Sequence, residues 1–136
     1  MRDFRKLEIW TKGISVVKHI YILTETLPQT EKFALISQMQ RSAVSIPSNI
    51  AEGCSRNSEM EFKRFLEIAI GSSFELETQL ILCNEIGYIK GGNAESLITD
   101  LHILQKQINS LISKIANANA KSQKLKAKGQ KLKANS

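Results

Sequence analysis

The sequence predicts an all-α protein, folded as an antiparallel up-and-down four-helix bundle. Three observations carry this expectation. Apolar residues recur at steps of three and four along four separate segments, the mark of helices that bury one face. Leu, Ile, Ala, Lys, Glu and Gln dominate the composition, as in helical proteins. Two prolines and seven glycines among 136 residues are few for the turns of a β-rich fold. A chain of this length forms one domain around one core, and short links between consecutive helices force neighbours to run antiparallel.

The first helix runs from Phe4 or Leu7 to Leu27, and Pro28 ends it. It carries two apolar stripes. Leu7, Trp10, Ile14, Val17 and Tyr21 form one, and Ile9, Val16, Ile20, Leu23 and Leu27 form the other. A monomeric bundle needs one apolar face per helix. The second stripe therefore predicts self-association, with Ile9, Val16, Ile20 and Leu23 at the interface and Phe65, Ile68 and Ile70 of the third helix as further contributors.

The second helix runs from about Thr30 to Cys54, with Ile36, Met39, Ala43, Ile46, Ile50 and Gly53 as its seam. Pro47 falls inside it. A proline lacks the N–H that the Ala43 carbonyl would accept, so a kink at Pro47 is expected; two separate helices are the alternative. The apolar phase survives from Ala43 through Ile50, which favours one kinked helix. The third helix opens on a capping box, Ser58 with Glu61, and runs to Ile86 on a seam of Phe62, Leu66, Ala69, Ser73, Leu76, Leu80 and Cys83. Gly71 within it weakens the helix and predicts a close backbone approach there. Gly87 and the Gly91-Gly92 pair close this helix and the hairpin after it. The fourth helix opens near Asn93. Its seam, Leu97, Leu101, Leu104, Ile108, Leu111 and Ile115, keeps the 4-3-4-3-4 spacing of a coiled coil.

Charge divides the chain in two. Residues 1–120 carry thirteen bases and thirteen acids, so the net +6 belongs to the last sixteen residues. These hold Lys121, Lys124, Lys126, Lys128, Lys131 and Lys133 and no acid. The chain thus reads as a near-neutral bundle, 1–120, and a Lys-rich basic tail, 121–136, frayed helix or disordered. Gln-Lys-Leu-Lys-Ala occurs twice in the tail with a period of seven, in phase with the fourth helix. Two readings stand: a solvated extension made by duplication, or a basic amphipathic arm for nucleic acid or anionic lipid.

Little in the chain suggests catalysis. The two histidines, His19 and His102, are isolated, and no Glu-x-x-His pair of the di-metal bundles is present. Phosphate-binding glycine loops and the nucleophile elbow are absent. Cys54 and Cys83 fit no zinc spacing; the reading is two free thiols, with a disulfide between them as the alternative. No enzymatic activity, metal or cofactor is expected. The longest uncharged run is ten residues, Ser42 to Ala51, far short of a membrane span. No apolar segment follows the charged N-terminus, so the expectation is a cytoplasmic protein.

Polar residues interleave with the seams of the second and third helices. Gln38, Arg41, Ser45, Asn49, Glu52, Glu75 and Gln79 are expected to form a hydrogen-bonded network that fixes register within the bundle or between subunits. A ligand or nucleic-acid site is the alternative. Arg41, Arg56, Lys63 and Arg64 are expected to form a basic patch at one end, diluted by Glu59, Glu61 and Glu67.

These residues also carry a resemblance. Phe4-x-x-Leu7-x-x-Trp10, the run from Gln38-x-x-Arg41 through Glu52-Gly53 to Arg56, the stretch from Phe62 through Gly71-Ser72 to Gln79-Leu80, and Gly87-Tyr88 resemble the four-helix-bundle proteins encoded in 23S-rRNA intervening sequences. The resemblance covers about residues 4–115 and excludes the tail. It implies a closed left-handed bundle that assembles as a homopentamer without enzymatic activity. Related accessory proteins of diversity-generating retroelements are pentamers that bind nucleic acid and a reverse transcriptase. The expected function is therefore a non-catalytic homo-oligomer that associates with RNA or other nucleic acid through clustered basic arms, with a purely structural or protein-interaction scaffold as the alternative.

Overall fold

The structure, a computed structural model, describes residues 1–135. It consists of α1 (Glu8–Thr24), α2 (Ser37–Cys54), α3 (Glu59–Ile86) and α4 (Asn93–Ala134), with no strand among the described residues. α1 and α3 each pack on both α2 and α4, so the four helices close around one core. Contacts along α2 and α3 pair in opposite order: Met39 with Cys83, Ser42 with Gln79, Ser45 with Ser72. The α1 pairs, Gly13 with Pro47 and Thr24 with Gln40, do the same.

The core is built from four stripes of one spacing. Met39, Ala43, Ile46 and Ile50 of α2, Phe62, Leu66, Ala69, Leu76 and Leu80 of α3, and Leu97, Leu101, Leu104 and Ile108 of α4 are all buried. α1 corrects the expectation for its two stripes. Ile9, Val16, Ile20 and Leu23, expected at a subunit interface, are 6%, 3%, 0% and 7% exposed in the single chain and line its core. Leu7, Trp10, Ile14 and Val17 lie half-buried beside them, and Tyr21 is exposed. The reason is packing distance. Gly13 continues the buried stripe between Ile9 and Val16, and a Cβ there would stand 3.3 Å from the Cβ of Pro47. Only this arc of α1 lets α2 come so close.

The close approach expected at Gly71 is also corrected, since a Cβ there would meet nothing within 4 Å. Gly53 is the crowded position instead, with the Phe65 Cβ 2.8 Å and the Phe62 Cδ1 3.0 Å from where its own Cβ would be. Pro47 lies inside α2, which continues to Cys54. The helical run expected from Thr30 is continuous to Cys54 but opens irregularly: a 3-10 turn, Gln29–Glu31, and one π turn, Lys32–Ile36, lead directly into α2. The Glu31 side chain caps this turn by accepting from the Leu35 N–H at 3.4 Å.

α3 starts as its sequence demands, with the Ser58 Oγ accepting from the Glu61 N–H at 3.1 Å. It stops at Gly87, whose φ of 90° is left-handed. Gly91 and Gly92, also left-handed, turn the chain into α4. That helix has 42 residues and is therefore about 63 Å long at 1.5 Å per residue. Its last buried residue is Ile115, and every described residue from Ala120 onward is exposed.

Candidate functional site

The basic tail is helical from Lys121 to Ala134, and Ser136 lies outside the described residues. α4 continues through Lys121, Lys124, Lys126, Lys128, Lys131 and Lys133 without a break, and all six side chains are exposed. Leu125 and Leu132, seven residues apart, are each 64% exposed. Helical geometry puts these two leucines on one line with lysines to both sides. Lysines near the end of a helix also sit well against its negative terminus. The tail is thus a rod that holds positive charge away from the bundle.

The polar residues of α2 and α3 form two short networks and a separate end pair. Ser42 donates to the Gln79 Oε1 at 2.7 Å, and the Gln79 Nε2 donates to Glu75 at 3.4 Å. One helical turn away, Ser45 and Ser72 share a 2.8 Å hydrogen bond, and the Asn49 Nδ2 donates to the Ser45 carbonyl at 2.8 Å and to its hydroxyl at 2.9 Å. Glu52 pairs with Arg56 at 3.1 Å, apart from both networks. Gln38 and Arg41 are exposed and belong to neither. Because the partners sit on different helices at matched heights, the networks fix the α2–α3 register.

The expected basic patch is dispersed. Arg41 lies fifteen residues before Arg56, roughly 22 Å away along a helix axis. Arg56 pairs with Glu52 and stands 4.8 Å over the Phe65 ring. Lys63 pairs with Glu67 at 2.7 Å, and Arg2 with Glu59. Arg64 is exposed. Bases already matched by acids add little field for a polyanion.

One cluster escaped the sequence reading. The Glu77 carboxylate of α3 accepts from the Gln105 Nε2 at 3.0 Å and lies 3.1 Å from the His102 Nε2 of α4. Partial burial pushes the Glu77 carboxyl up, but the hydrogen bonds from Gln105 and His102 outweigh it and hold the group below its usual value. The signal was available only as a register: Glu77 and Gln105 stand at similar distances before and after the Gly91-Gly92 turn. Tyr88 likewise donates to Glu31 at 3.2 Å, a bond that raises the phenol above its ordinary value. Cys54 and Cys83 are free and buried. Burial raises both thiols, Cys83 to about 11, so they remain protonated.

A cleft of about 550 Å³ opens between the end of α1 and the start of α4, where His19, Ile22, Tyr88, Lys90 and Asp100 meet. Its mixed charges converge on no single ligand chemistry. Among the described residues, no group of three or more His, Cys, Asp or Glu side chains could hold a metal ion, and no helix is long and apolar enough to cross a membrane.

The profile of a family described as 23S rRNA-intervening sequence protein matches residues 5–110. A crystal structure at 1.70 Å of a protein from Bacteroides thetaiotaomicron VPI-5482, of the S23 ribosomal protein family and of unknown function, is similar in fold with a TM-score of 0.71. It is 30% identical, and the alignment covers 76% of this chain and 97% of that one. No curated protein matches the chain. The basic tail lies beyond the residues that the family profile matches.

Proposed function

The chain belongs to the 23S rRNA-intervening sequence protein family, and from that membership we propose a non-catalytic, homo-oligomeric bundle protein that associates with nucleic acid, RNA foremost, through clustered basic arms. The observation that supports this is the shape of the positive charge. Six lysines and no acid ride on an exposed helix that continues α4 past the core, while the thirteen bases of the body are balanced by thirteen acids. Lysines on a projecting helix suit a phosphate backbone, whose neutralisation releases counterions and needs no base-specific contact. Each added copy in an oligomer contributes six more lysines to the same field.

A gel-shift titration of structured RNA against the full-length protein, at two salt concentrations, tests the reading. If all six lysines engage phosphates, the salt slope approaches about −5 per chain, from roughly −0.9 per phosphate. Replacing the six lysines by glutamine is expected to remove most of that slope. Undetectable binding by the unmodified protein at low salt overturns the proposal. A scaffold that binds only protein is favoured by a different observation, the exposed Ile68, Phe74, Ile81, Leu82 and Ile86 of α3.

A further inference from the structure

α3 carries a second stripe that the chain's own fold leaves uncovered. Ile68, Gly71, Glu75, Thr78, Leu82 and Glu85 are all exposed and advance by alternating steps of three and four. That is the spacing of a seam that receives another helix. Phe74 and Ile81 flank it, 54% and 45% exposed. Gly71 lies in the stripe and leaves a gap, with nothing within 4 Å of where its Cβ would be. The stripe is also acidic. Residues 65–89 contain Glu67, Glu75, Glu77 and Glu85 and no Lys or Arg. Glu77 is engaged by α4 and Glu67 by Lys63; Glu75, which accepts from Gln79 at 3.4 Å, and Glu85 are exposed.

The tail has the complementary pattern. Ala118, Ser122, Leu125, Gly129 and Leu132 advance by four and three. Leu125 and Leu132 are the large residues of that stripe. Lys121, Lys124, Lys128 and Lys131 border it on one side and Lys126 on the other, by the angular spacing of a helix. The tail, Lys121 to Ala134, is about 21 Å long, and the α3 stripe from Ile68 to Glu85 is about 27 Å, at 1.5 Å per residue.

We propose that the exposed stripe of α3 receives the basic tail helix of a second copy of this chain, running antiparallel to it, with Leu125 seated over Thr78 and Leu132 over Gly71 and the lysines beside Glu75 and Glu85. The tail of the same copy cannot make this contact. Counting down both helices from the Glu77–Gln105 hydrogen bond, α3 reaches its first residue, Glu59, as α4 reaches Gln123. Beyond that point the unbroken helix leads away from its own α3 stripe. The proposal rests on the self-association in the reading above and not on its nucleic-acid part; phosphate and α3 would compete for the same lysines.

Sedimentation velocity on full-length protein, nuclease-treated and with a protein-like absorbance ratio, tests the contact at low and high salt. Two charge-reversed variants are compared with it: Lys124→Glu with Lys128→Glu and Lys131→Glu, and Glu75→Lys with Glu85→Lys. All of these side chains are exposed, and circular dichroism checks that helicity is kept. At low salt each variant is expected to self-associate about tenfold or more weakly than the unmodified chain, and an equimolar mixture of the two to recover association. Filling the gap with Gly71→Leu is expected to weaken the same step. Association that both variants keep at full strength overturns the tail contact but leaves self-association standing. A single subunit under every condition overturns both. Loss of association on nuclease treatment overturns the contact in favour of bridging by nucleic acid.

Discussion

Single residues set the tightest constraints. Gly53 sits where the Phe65 Cβ would be 2.8 Å from an added Cβ, and a Cβ so near the backbone cannot swing away as a side-chain tip can. Gly53→Ala is expected to cost about 1–3 kcal/mol by overpacking, while Gly71→Ala, with open space around it, gains about 1 kcal/mol of helix propensity. Urea unfolding of the two variants beside the unmodified protein measures both. Glu77 makes a pH prediction. Its folded carboxyl lies below the ordinary value of 4.5 because hydrogen bonds to Gln105 and His102 outweigh burial. A depressed carboxyl stabilises the fold above its unfolded value, and that stability is lost as pH falls through the folded value. Thermal melts should therefore show Glu77→Gln less stable than the unmodified protein at pH 7, with the gap closing below pH 4.5.

At the scale of helices, one spacing explains the fold. Ile9, Gly13, Val16, Ile20, Leu23 and Leu27 step by 4-3-4-3-4, as the α4 seam does, and all are buried. Ile20→Ala is expected to cost about 2–5 kcal/mol, whereas Ile22→Ala, 65% exposed, changes stability by about 0.5 kcal/mol or less. Chemical denaturation with tryptophan fluorescence separates them. The seams of α2, α3 and α4 were legible in the sequence because their buried positions are mostly large and apolar. The inner arc of α1 was not, because Gly13 counts as a gap in a hydrophobic pattern yet marks the place where α2 comes closest. The irregular turn that opens α2 is capped by Glu31, whose other partner, Tyr88, lies 57 residues away. The tail was legible because charge can be counted along a line. The Glu77–Gln105–His102 cluster needs the register between two helices, which no count along one chain provides.

Over the whole molecule, stability and charge are kept apart. The core ends with Ile115 on α4, and the net charge begins with Lys121. Replacing all six tail lysines by glutamine is therefore expected to leave the unfolding free energy within about 0.5 kcal/mol, while nucleic-acid binding and assembly change. Equilibrium denaturation beside the binding titration checks that the two properties separate. The unbroken course of α4 also makes the tail's azimuth a counted quantity. Adding one residue between Ile115 and Lys121 would turn every downstream side chain by about 100° and push it 1.5 Å outward. Adding seven would restore its bearing to within roughly 20°. The reach of the arm can thus be lengthened in whole heptads with its orientation kept, so the span between bundle and partner is adjustable in increments of about 10.5 Å.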